Sequence, residues 1–260
     1  MNYHDVLESL VWNYRLDFDP VGIRFIFDES ELDLLRITHN ARSKLTFCQH
    51  AAAVRQARYA LFMKPESCLC KNAQLVLGFR PLDEKADTRY HIKYAADPET
   101  ALKIVLEKPK LDFMACKGVY IAPIDVFDQV ELEPSVVFIM CVPYQALHIL
   151  NDYMAAIRRP NLTFYQFPNS AVCAGSVWSF NNKTANLTTM CPGSKTSGKT
   201  EMNYVNLFIP GEHMLPAIDQ LKKRIERGQG PSLLGKGGAW PGLDRCAGCS
   251  TLSFRKSTSQ

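Results

Sequence analysis

Sulfur is the chemistry this sequence offers first, because nine cysteines stand among its 260 residues. A thiolate is a nucleophile and a soft metal ligand, whereas a protonated cysteine in a core behaves as a small hydrophobe. In a reducing compartment such a count points to metal ligation or redox chemistry ahead of disulfides. Cys48, Cys70, Cys173 and Cys191 are dispersed, and none belongs to a C-x-x-C pair. Their spacing alone leaves a ligand role and a buried structural role both open. Cys68 lies two residues before Cys70, and Cys116 and Cys141 fall in expected strands, where they read as core. Cys246 and Cys249 do form a C-x-x-C pair. They lack the strand-to-helix setting of a thioredoxin-like site and read as part of a tail, with a redox pair or metal ligands as the alternatives.

A second signal overlaps the first. Residues 193–200, GSKTSGKT, satisfy the phosphate-loop consensus G-x-x-x-x-G-K-[ST]. That chemistry needs a helix immediately after the loop, its N-terminus facing the phosphate. Here residues 201–210 are strand-like and end at Pro210, and only 60 residues follow Thr200, too few for the rest of a nucleotide-binding sheet. A polar turn is the simpler reading. Anion binding by Lys195 and Lys199, as in a phosphate-binding enzyme, remains a minor one.

Among other candidates, His50 is two residues beyond Cys48, a spacing that points the two side chains in different directions on a helix. Arg55 is two turns beyond Cys48 on the same side and can place positive charge near a thiolate, although an ordinary surface arginine is the simpler expectation. His148, grouped with Asn151 and Asp152, reads as solvent-exposed. No Ser/His/Asp order, H-E-x-x-H or paired-carboxylate pattern stands out.

These residues need elements to hold them. Residues 4–14 have helical periodicity, and residues 21–27 read as the first strand. The pattern predicts a helix over 43–62 capped by Ser43, with Phe47, Ala51, Val54, Arg58 and Leu61 on one stripe. A short apolar run follows from Cys70 to Gly78, then a short strand over 90–94, then a helix begun by Asp97 and Pro98 and ended by Pro109. Residues 117–124 and 135–142 are β-like, the second apolar enough for burial on both faces. Residues 144–158 read as a helix with Leu147, Leu150, Met154 and Ile157 inside. Residues 204–209 read as a strand and 212–227 as a helix with Leu215, Ile218, Leu221 and Ile225 inside. The mixture lacks a regular βαβ rhythm and predicts an α+β, or irregular α/β, domain over 1–228 with a mixed sheet, and an irregular Gly/Pro/Ser-rich tail over 229–260.

The net charge of +4 is small, and its one basic run, Lys222 to Arg227, suits a solvated helix face better than nucleic acid. The N-terminus has no secretory pattern, and no apolar run reaches the roughly 20 residues of a membrane helix. A cytoplasmic protein is expected, with no membrane or nucleic-acid partner.

Collinear motifs add a resemblance. They are Pro20-Val21, Cys48, the run from Cys70 to Gly78, Tyr120 with Ala122-Pro123, and Pro143-x-Gln145. Val172-Cys173-Ala174, Cys191-x-Gly193-Ser194-Lys195 and the stretch from Glu201 to Ile209-Pro210 complete the set. Over about residues 15–215 the chain resembles the prokaryotic family called domain of unknown function 169. It departs from that family at Lys71-Asn72-Ala73-Gln74, in the added Cys68, in its Gly-Lys-Thr loop ending and in its cysteine-containing tail. The resemblance implies that the recurrent cysteines are Cys48, Cys70, Cys173 and Cys191, a set suited to an iron–sulfur cluster or to zinc. Dispersed ligands favour the cluster, since structural zinc prefers close pairs. The expected function is electron transfer, or reductive or sulfur chemistry on a small molecule, with a small molecule or a redox protein as partner. Cys68, Cys246 and Cys249 are less favoured ligands. A non-enzymatic ligand-binding or scaffold module, with structural cysteines or one zinc, is the alternative.

Overall fold

The structure, a computed structural model, describes residues 2–35, 39–40, 44–196, 198–200 and 202–228. Ser43, Cys246, Cys249 and the expected tail over 229–260 lie outside the described residues.

Strands that are apolar at nearly every position must be covered on both faces, and four strands here are of that kind. β1 (Val21–Ile26) is buried apart from a half-buried Arg24, and every residue is buried in β4 (Gly118–Pro123), β5 (Val136–Cys141) and β7 (Val205–Pro210). With β2 (His39–Asn40), β3 (Leu61–Met63) and β6 (Asn186–Thr188) they form a sheet ordered β2-β3-β4-β1-β5-β7-β6. All neighbours are antiparallel except β2 and β3. The α+β class with a mixed sheet follows.

Alternate residues of these strands feed two cores. Tyr120, Val137, Ile139 and Leu207 face helices α1 (Tyr3–Tyr14), α6 (Pro143–Ile157) and α9 (Gly211–Glu226). Ile23, Val119, Ile121, Phe138 and Phe208 face α2 (Phe47–Ala57), α3 (Lys71–Val76) and α7 (Val172–Asn182). Helices α4 (Glu84–His91) and α5 (Pro98–Glu107) pack on each other, and α8 (Pro192–Thr196) packs on α2. Across the first core, Gln145 ties two elements together. Its side chain accepts from Val142 N–H and donates to the Tyr14 and Arg15 carbonyls, which joins the start of α6 to the end of α1.

Several elements differ from the sequence expectation. The helix predicted over 43–62 is only α2, because Thr46 and Gln49 exchange capping hydrogen bonds at its start and Arg58 takes a left-handed φ of 51° at its end. Leu61 leaves the helix to pair with β4. Residues 90–94 are no strand: Asp83 caps α4, which runs to His91 and ends in a 3-10 turn over Ile92–Tyr94. The inner line of α6 is Ala146, Ile149, Leu150 and Tyr153, with Leu147 51% exposed, because the helix packs along α9 and the sheet together. Likewise the buried face of α9 is Met214, Ala217, Ile218 and Leu221, and Ile225 is exposed.

Candidate metal centre

Four helices start beside one another on the second face of the sheet, and each brings a cysteine in or just before its first turn. Cys48 is the second residue of α2, and Cys173 is the second residue of α7. Cys70 immediately precedes α3, and Cys191 immediately precedes α8. Helix N-termini present unsatisfied N–H groups and the positive end of the helix dipole, which favours thiolate over thiol. At Cys191 the hydrogen bonds are explicit. Ser194 N–H donates to Cys191 Sγ at 3.3 Å, while Cys191 N–H donates to Ser194 Oγ at 2.8 Å.

Close packing sets these positions. Phe47, Ala51 and Val54 seat α2 on the sheet. Gly175 lets α7 press against Phe208, since a Cβ there would come within 2.2 Å of the ring. Gly198, the second glycine of the phosphate-loop consensus, lies against Cys48, where a Cβ would come within 2.9 Å of the cysteine Cβ. That glycine therefore serves a close crossing of the chain. After it comes β7 rather than a helix, as the sequence had indicated.

Cys48, Cys70, Cys173 and Cys191 all line one cavity of about 300 Å³. Its mouth carries Tyr90, Lys93 and Tyr94, with the Lys93 ammonium 4.5 Å from one ring centroid and 5.1 Å from the other. Asn72 donates to the Asn169 carbonyl at 3.2 Å, and Asn169 bonds the Tyr90 hydroxyl. The thiols feel each other. Cys48 donates a hydrogen bond to Cys191, which pushes the Cys48 thiol well up, helped by burial and by the neighbouring cysteines. The same bond pulls Cys191 down to about 5 against the effect of burial, with Ser194 assisting. Burial, then Cys70 and Cys191, push Cys173 up, and Lys108 opposes them. The cavity thus favours a thiolate at Cys191 and disfavours one at Cys48 and at Cys173. A cation entering it would displace the remaining protons.

Among the described residues, no group of three or more His, Cys, Asp or Glu side chains is already closed into an arrangement for holding a metal ion. The four cysteines therefore share the lining of one cavity without forming a closed ligand set.

Other sequence candidates fall elsewhere. Cys68 is buried and does not line the cavity, although its Sγ lies 3.9 Å from the Cys70 carbonyl oxygen, and burial pushes it up to about 12. Cys116 and Cys141 are core residues, as expected. Lys195 and Lys199 are exposed and neither lines the cavity; Lys199 reaches Gln56 instead. His50 is buried with Nε2 3.3 Å from the Ser67 carbonyl, so it is not a base for Cys48. Two expectations are overturned. Arg55 is no surface arginine: it is buried, lies over the Phe18 ring at 4.7 Å and reaches the Gly198 and Lys199 carbonyls, bracing the loop that crosses Cys48. His148 is half-buried with both ring nitrogens shielded from water, because the Tyr144 ring packs edge-on against it. The sequence reading missed Lys108 and His91, both buried and in contact with each other, Nζ to Nε2 at 2.7 Å. A lysine between a helix end and a proline carries no pattern that would have singled it out.

A mixed sheet layered between helices, with thiols from four helix starts around one cavity, defines an α+β protein with a candidate cysteine-ligated centre. Residues 9–220 match the model of the domain-of-unknown-function 169 family, described as uncharacterised ArCR, and the chain belongs to that family. Searches of curated proteins and of solved structures gave no significant match. No helix among the described residues is long and apolar enough to cross a membrane.

Proposed function

We propose that this chain is a cytoplasmic metal protein holding an iron–sulfur cluster on Cys48, Cys70, Cys173 and Cys191, and acting in electron transfer or in reductive or sulfur chemistry on a small molecule. The observation that carries the reading is the meeting of four thiols, remote in sequence, at the starts of four helices around one cavity. The donor set is all sulfur, the set that iron–sulfur clusters and soft metal ions select. A lone zinc ion, with Zn–S bonds of about 2.3 Å, asks its ligands to close on a point. Four cysteines that line one cavity without a closed ligand set suit a group of several atoms better.

Such a group supplies one-electron redox capacity and, where a coordination position is open, a Lewis acid. The chain's own residues do the rest. The helix starts and the Ser194 N–H stabilise negative sulfur, and the buried apolar wall of α7 keeps water from Cys173. A neighbouring chamber of about 620 Å³ shares Thr46, Cys70, Asn72 and Tyr90 with the cavity. A small molecule bound there meets Cys70 before any other of the four thiols.

The test is anaerobic purification followed by iron and acid-labile sulfide assays and a visible spectrum. Brown protein that loses both iron and sulfide in the Cys173→Ser variant is expected. Colourless, iron-free protein refutes the reading. If Cys173→Ser then lowers only stability, the cysteines belong to a non-enzymatic module.

A further inference from the structure

The wall of the four-cysteine cavity includes three exposed residues from one stretch of chain: Tyr90 near the end of α4, and Lys93 and Tyr94 in the 3-10 turn that follows. The Lys93 ammonium lies 4.5 Å from the Tyr90 ring centroid and 5.1 Å from that of Tyr94, both within cation–π reach. Tyr90 is tethered in turn, since Asn169 bonds its hydroxyl and buried Asn72 donates to the Asn169 carbonyl at 3.2 Å. Cysteines aside, Lys93 is the one charged side chain among the described residues that line this cavity. Among the described residues it forms no ion pair with a carboxylate. In the adjoining chamber the signs balance, two cations, Lys71 and Arg80, against two carboxylates, Asp83 and Asp87. Arg80 and Asp87 are already paired, at 2.5 and 2.9 Å.

A cleft with low-dielectric walls and charge of one sign focuses its field and concentrates small ions of the opposite sign. We propose that this cavity selects anions: Lys93, held on the Tyr90 and Tyr94 rings, is a specificity-determining residue that favours small carboxylates and oxyanions over cationic molecules of the same size. A volume of 300 Å³ takes a molecule of about ten water-sized groups. The inference deepens the function proposed above by naming the charge of the small molecule. It rests on that reading only in taking the cavity as the place where the molecule meets the thiols.

Two thiol reagents of similar size and opposite charge test this on the metal-free, reduced protein: sulfonatoethyl methanethiosulfonate, an anion, and trimethylammonioethyl methanethiosulfonate, a cation. With each, a cysteine thiolate bonds to the reagent's sulfenyl sulfur and methanesulfinate leaves. The ratio of the two rates cancels the ionisation of the thiol and reports the field that the reagent meets. It is read at Cys70, half-buried and in the lining of both cavities, by mass spectrometry of its peptide, and is divided by the same ratio in the urea-unfolded chain. Unit charges about 6 Å apart in water change a rate about threefold, so reagents of opposite charge should differ about tenfold in favour of the anion. Lys93→Gln should abolish that preference and Lys93→Arg keep it, and about 1 M salt should suppress it in the parent. A parent ratio near one overturns the proposal. So does a ratio unmoved by Lys93→Gln, which assigns Lys93 the structural role of holding two tyrosines. An equal loss in Lys222→Gln, which removes one positive charge from α9 on the opposite face, also overturns it, because net charge and not the cavity wall would then select. Neither reagent needs iron: brown protein with no preference leaves the cluster standing, and colourless protein with a tenfold preference leaves anion selection standing.

Discussion

Gly175→Ala offers the sharpest test of how the fold places its sulfur. Gly175 sits on α7, two residues beyond Cys173, and an added Cβ would meet Phe208 Cε2 at 2.2 Å and Cδ2 at 2.7 Å. The ring has nowhere to go, since it is fully buried and stacked on Phe138 at 5.3 Å and 15°. Alanine in a helix interior gains about 1 kcal/mol over glycine, and overpacking a rigid core costs about 1–3 kcal/mol. The balance is a net loss of up to about 2 kcal/mol, or about 4–8 °C in Tm for a chain of this size. The strain lifts α7 from β7 and takes Cys173 with it, so iron content falls further than stability. Gly193→Ala is the matched control, because its Cβ would meet only Cys191 Sγ at an ordinary 3.8 Å. Within α8 it should leave stability unchanged or raise it by up to about 1 kcal/mol. Thermal melts and iron assays on the two variants decide the matter. A Gly175→Ala protein as stable as the parent and fully loaded refutes the argument that this contact positions Cys173.

Serine at Cys48, Cys70, Cys173 or Cys191 should each reduce bound iron and sulfide, while Cys68→Ser should cost stability and leave iron content per folded chain unchanged; colorimetric assays separate the two groups. Burial takes Lys108 from 10.5 to about 8, so between those values the unfolded chain binds the extra proton and stability rises with pH. The Lys108 penalty is therefore full below pH about 8 and gone above about 10.5, and the stability gap between parent and Lys108→Met in metal-free protein should close across that window by at most about 1.4 kcal/mol per unit, as read from urea unfolding. On the opposite face, buried Asp152 accepts from the Tyr14 hydroxyl and from Arg224 at 2.6 Å. Asp152→Ala should cost about 3 kcal/mol in urea unfolding without lowering iron content per folded chain.

What the sequence disclosed was mostly what burial on two sheet faces imposes. The strands β1, β4, β5 and β7 were legible because each is an apolar run bounded by charge or proline, and α1, α5 and α9 because their periodicity or caps lie in plain view. The short helices at the site were not. Cys70 precedes a helix of six residues and Cys191 one of five, too short for periodicity to register. α7 hid for another reason: VCAGSVWSFNN is apolar, small and polar by turns, with seven of its eleven residues buried, so no single apolar stripe marks it. The dispersed cysteines needed the fold to bring them together, and residue patterns alone left them open between ligands and core. Arg55 misled because arginines are seldom buried, and its bracing of the Gly198 loop exists only in three dimensions.

The spacing of the four thiols along the chain also sets an order of events. During synthesis Cys48 and Cys70 emerge more than a hundred residues before Cys173, and two sulfurs from neighbouring helices cannot enclose a group that needs four. The pocket is complete only when α7 and α8 have docked on the sheet that β5 and β7 help to build. On the function proposed here, loading of the cavity would follow folding, and Tyr90, Lys93 and Tyr94 stand in the wall that an occupant would meet.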